Sequence, residues 1–138
     1  MRRLVARLLG FGALVTLAAC ASDSSTNTGP ASVAGTYTLR TVNGSPLPYT
    51  LFDFGGDKYE ITAGAVTLEA GGRWTATSAD RTTEGTSVVT STFTTTGTYT
   101  LAGTVITLVS PGTSIVSGSV DRGKMSLTQD GVITVFTK

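Results

Sequence analysis

Histidine is absent from all 138 residues, and cysteine occurs only once, at Cys20. Without histidine there can be no Ser-His-Asp or Cys-His nucleophile pair and no imidazole metal ligand. With one cysteine there is no internal disulfide, so burial of apolar surface must hold the fold together alone. Charge is also scarce, at 14% of residues, and forms no basic stripe of the kind that nucleic acid or anionic lipid requires. Ser-x-x-Lys, Gly-x-Ser-x-Gly and a phosphate-binding glycine loop leading into a helix are missing as well. These absences point away from an enzyme and from a nucleic-acid partner, and nothing calls for a cofactor or a metal.

Long apolar runs are lacking too. The longest, Leu8 to Ala19, follows a start that carries Arg2, Arg3 and Arg7 and no acid. About a dozen residues are too few to span a bilayer core of about 30 Å, which takes about 20. A cationic start, a short apolar stretch and small residues before a cut are the marks of an export signal. Leu17-Ala18-Ala19-Cys20 resembles the lipobox of bacterial lipoproteins. That resemblance implies diacylglycerol on the Cys20 thiol, removal of residues 1–19 by a signal peptidase, and acylation of the new amine. A thiolate suits the alkyl transfer, and each buried methylene of the acyl chains adds about 0.8 kcal/mol of membrane affinity. The expected location is the bacterial cell envelope, with the membrane as partner. Ala21 rather than Asp after the cysteine favours the outer membrane, facing the periplasm, in a Gram-negative cell. A plain secretory signal followed by an incidental cysteine is the alternative.

Loss of Arg2, Arg3 and Arg7 leaves seven cations against nine anions, turning a net charge of +1 into −2. Residues 20–32, Cys20 followed by "ASDSSTNTGPAS", hold no large apolar side chain after the cysteine and read as a flexible tether. Residues 33–138 are then one domain. No part of it keeps a helical period; it is rich in Thr, Val, Tyr and Phe and divided by Gly-containing turns, the pattern of antiparallel strands. Strands are expected near 34–42, 57–69, 73–80, 87–101, 105–110, 114–121, 124–129 and 132–137.

Register is tested by asking which loop keeps apolar facing apolar, since a one-residue slip reverses every side chain. A three-residue Ala70-Gly71-Gly72 loop pairs Leu68 with Trp74 and Val66 with Ala76. A two-residue Gly103-Thr104 turn pairs Leu101 with Ile106 and Tyr99 with Leu108. A four-residue loop, Asp121 to Lys124, sets Val120 against Met125. A three-residue Gln129-Asp130-Gly131 loop pairs Leu127 with Ile133 and Met125 with Val135. Eight strands joined mostly by hairpins predict an all-β, single antiparallel up-and-down barrel, closed so that no edge is left to template aggregation. A two-sheet sandwich is the other arrangement open to these strands.

Gly35-Thr36-Tyr37-Thr38-Leu39, Val42-Asn43-Gly44-Ser45-Pro46-Leu47-Pro48, "TAGAVTLEAGGRWT" and "GTYTLAGTVITL" resemble the small lipocalin-like domains of bacterial lipoproteins. Lipocalins carry Gly-x-Trp on the first strand, and Tyr37 stands where that Trp would be. The resemblance implies a lipocalin-like β-barrel that binds a small hydrophobic molecule inside. The interior contacts expected for it are Tyr37, Leu39, Tyr59, Ile61, Leu68, Trp74, Phe93 and Tyr99. The alternative is a structural or interaction lipoprotein with a side-chain-filled barrel, because eight strands enclose either packed side chains or one small ligand. Asp53, Asp57 and Glu60, in "DFGGDKYE", lack the spacing of a Ca²⁺ loop and read as part of a solvated loop between the first two strands.

Overall fold

The computed structural model describes residues 30–112 and 115–138. The expected export signal, Cys20 and residues 21–29 of the tether lie outside the described residues. One helical turn, α1 (Pro30–Val33), precedes ten strands: β1 (Gly35–Val42), β2 (Ser45–Pro46), β3 (Tyr49–Phe54), β4 (Asp57–Leu68), β5 (Arg73–Glu84), β6 (Ser87–Ala102), β7 (Val105–Val109), β8 (Ile115–Asp121), β9 (Lys124–Gln129) and β10 (Val132–Thr137). β4 to β10 form an antiparallel meander, and β1 closes it by pairing with β10 on one side and β4 on the other. The result is a closed, antiparallel, eight-stranded up-and-down barrel, consistent with a lipocalin-like barrel. The expected all-β barrel is therefore present, with the eight principal strands close to their anticipated bounds.

Three of the four hairpin registers agree with the apolar-to-apolar pairing. Leu68 faces Trp74, Leu101 faces Ile106 and Val120 faces Met125. The third of these hairpins turns on Arg122-Gly123 alone, because Asp121 and Lys124 already pair. The fourth register is corrected: Leu127 faces Thr134 and Met125 faces Phe136. Asp130 and Gly131 both take positive φ, 49° and 81°, which gives the two-residue turn that suits the twist of a hairpin. β10 has apolar residues on both faces, so matching apolar with apolar could not choose between them. Its inner row is Val132, Thr134 and Phe136, while Ile133 is 47% exposed.

The "DFGGDKYE" stretch is also corrected. It is not a solvated loop but the β3–β4 hairpin, with Asp53 opposite Lys58 and Phe54 opposite Asp57. β2 and β3 are extra elements: β2 pairs with the end of β1, and β3 with the first half of β4. β4, β5 and β6 run to 12, 12 and 16 residues, whereas β7 has five. Their upper parts consequently rise with β3 above the barrel as a four-stranded wall.

The base of the barrel holds the turns at Glu69–Gly72, Gly103–Thr104 and Arg122–Gly123, together with α1. It is solid. Tyr37, Leu68, Ile106 and Met125 are each under 2% exposed. Two phenols end in backbone carbonyls there, Tyr37 donating to Val33 O at 2.7 Å and Tyr99 to Glu69 O at 2.7 Å, as buried hydroxyls require. The Lys138 ammonium stands 5.3 Å over the Tyr37 ring and donates to Ala34 O, so the end of the chain clamps its first strand.

Candidate functional site

Above this floor the barrel is hollow. A cavity of about 490 Å³ is lined by Val66, Trp74, Ala76, Leu108, Val116, Leu127, Val132 and Phe136, with Thr95, Ser110, Gln129, Asp130 and Thr134 as its polar members. A second space, of about 200 Å³, shares Val66, Ala76, Thr95, Thr134 and Phe136 with it and continues to Leu39, Ile61, Ser78 and Phe93 under the overtopping wall. Both are mainly apolar with a few hydroxyls, and the larger falls in the range of about 300–1,000 Å³ usual for small-molecule sites.

Strand alternation explains the lining. Trp74, Ala76 and Ser78 follow one another on the inner face of β5, and Gly97, Thr95 and Phe93 lie opposite them on β6. Four of these six inner residues, Ala76, Ser78, Thr95 and Gly97, are small, which leaves space of the kind that bulky residues fill at the base. Trp74 is 6% exposed, and its indole Nε1 donates to Thr98 O at 3.0 Å and Val109 O at 3.3 Å. It thereby seals the point where β6 parts from β7. Gly97 makes that seal possible, since a Cβ there would overlap the Val109 carbonyl oxygen and press on Trp74 Nε1.

The eight expected interior contacts divide into three groups. Trp74 lines the larger space, and Leu39, Ile61 and Phe93 line the smaller. Tyr37, Leu68 and Tyr99 are packed into the floor, where burial raises the phenol pKa of both tyrosines above 10.0. Tyr59 sits higher on the wall and stacks on Phe52 at 5.8 Å between ring centroids. Phe93 faces the smaller space yet is 54% exposed, because β7 ends at Val109 and no strand stands beside β6 at that height.

Sequence reasoning missed Leu108, Val116, Leu127, Phe136 and Thr134 as lining, and it missed Asp80. This aspartate is 7% exposed, and its Oδ2 accepts a 2.5 Å hydrogen bond from the Tyr59 hydroxyl. That bond, followed by burial, raises the Tyr59 pKa above 10.0. Alternation alone was a usable signal, since Asp80 continues the inner row of Trp74, Ala76 and Ser78. On the opposite face of the wall Glu60 is held by Lys58 at 2.8 Å and Arg81 at 2.6 Å. Hydrogen bonds from Lys58 and then Arg81 hold its carboxyl below the ordinary 4.5. Among the described residues no group of three or more acidic, His or Cys side chains is placed to hold a metal ion. No family model, curated protein or solved structure matches this chain.

Proposed function

We propose that this protein is a lipid-anchored lipoprotein of the bacterial cell envelope, tethered through Cys20, whose barrel binds a small hydrophobic molecule. The observation that carries the binding half is the chamber of about 490 Å³ above a fully packed floor. A barrel serving only as a spacer gains nothing from such a space, because unfilled apolar volume costs stability. The lipobox resemblance of Leu17-Ala18-Ala19-Cys20 supports the anchor. The chain enters the barrel at its base, through α1 and β1, at the end opposite the open mouth. No step in this reading needs a catalytic residue.

Trp74 reports on occupancy because it lines the chamber. Apolar dyes and fatty alcohols are expected to change its emission saturably and to raise Tm by mass action. An unresponsive Trp74 and an unchanged Tm across such a library would overturn the binding reading. A second reading, an interaction protein, is favoured by β6: Ser87 to Gly97 pair with β5 on one side only. That free edge carries Val88, Val89 and Phe93, each more than half exposed, the kind of strand that accepts another by edge addition.

A further inference from the structure

We propose that the ligand is an amphiphile with a cationic, ammonium-type head bound at Asp80. This rests on the container reading above and adds the chemistry of the head group. Asp80 Oδ1 is buried and has no hydrogen-bond partner, alone among the buried side-chain nitrogen and oxygen atoms of the described residues. A carboxylate has room for several donors, and a buried oxygen without one carries a desolvation penalty that a bound donor would relieve.

Its position suits a head group. Asp80 lies one inward step above Ser78, which lines the smaller space, and its Cα partners are Ile61 on β4 and Ser91 on β5's other neighbour, β6. Asp80 itself lines neither space but adjoins the Ile61 and Ser78 end of the smaller one, so the head of an apolar body seated there reaches Oδ1 by displacing the side chains that cover it. Neither space is lined by Lys or Arg, and the larger one has Asp130 at its rim. The cations flanking Asp80 in the wall, Lys58 and Arg81, are on the other face and committed to Glu60. An anionic head would meet carboxylates and no counter-charge, whereas an ammonium completes Asp80 with a charge-assisted hydrogen bond.

The test uses residues 21–138, since the barrel closes on itself within β1 to β10. Dodecylammonium, dodecanol and dodecanoate are titrated below their micelle concentrations, read by Trp74 emission and Tm. The ammonium should bind tightest and the carboxylate weakest. Asp80→Asn keeps an acceptor for Tyr59 and should weaken the ammonium by about tenfold to a hundredfold while leaving dodecanol unchanged. Equal affinity for the three heads, preference for the carboxylate, or a ranking unmoved by Asp80→Asn would overturn the proposal and leave the container standing. Failure of all three to bind the wild type would overturn the container reading and this proposal with it. Should Asp80→Asn not fold, the wild-type ranking alone still decides.

Discussion

At the scale of single residues, Trp74 joins stability to the candidate function. It closes the seam between β6 and β7, and it also lines the chamber. Trp74→Ala should cost about 3–5 kcal/mol, as for other large buried aromatics, measured as a lower midpoint in urea. Wild-type emission should be blue-shifted and should move red on unfolding. Glu60 makes a different prediction. Its pKa is lower in the folded chain than in the unfolded one, so the stability it contributes is complete above the ordinary carboxylate range and is lost as pH falls through the folded pKa. Glu60→Gln should therefore flatten the acid limb of a Tm-against-pH curve below about pH 4.5 and lower Tm at neutrality. The raised phenols of Tyr37, Tyr59 and Tyr99 act in the opposite window, their stabilisation complete below pH 10.0 and lost above it.

At the scale of elements, β6 is the strand that both builds the barrel and leaves it. Its lower part, Thr98 to Ala102, pairs on both sides, whereas Ser87 to Gly97 pair only with β5. Gly97 marks the fork. Gly97→Ala should destabilise the domain by about 1–3 kcal/mol, as overpacking does, and should shift Trp74 emission because the indole loses its seat; a Tm scan and an emission spectrum check both. The forked strand also shows what could be read beforehand. Its bounds were legible because Thr, Val and aromatic residues dominate the stretch between Glu84-Gly85 and Gly103, with Gly97 its single glycine. Its exposure was not, since alternation gives a residue's face but not whether anything stands opposite, and Phe93 was expected inside. β3 was hidden for another reason: it is short and crowded between Pro48 and the glycine pair Gly55-Gly56, so its pattern resembled a loop. The β9–β10 register was misread because a hollow barrel tolerates an inward Thr134. Asp80 escaped notice because a lone carboxylate in a Thr-rich strand resembles a solvated one.

At the scale of the whole molecule, a barrel with a solid base and an open end is joined to an N-terminal segment entering at the base. Labelled palmitate fed to a bacterium expressing the full chain should enter the protein and should be absent from Cys20→Ser. Label on the variant, or none on the wild type, removes the anchor from the proposal. The closure of the barrel has one more consequence. β1 is the first strand of the barrel in chain order and β10 the last, yet they are neighbours, with Leu39 opposite Phe136 and Val42 opposite Thr134. Arg40 Nε donates to Thr137 Oγ1, and Asn43 exchanges two hydrogen bonds with Ile133. A chain emerging N-terminus first can zip its hairpins in sequence, but the opening strand waits with one edge uncovered until its final partner arrives. Contacts so distant along the chain form slowly, so the interval between emergence and closure, more than the finished barrel, is when this threonine-rich sequence is most exposed to aggregation.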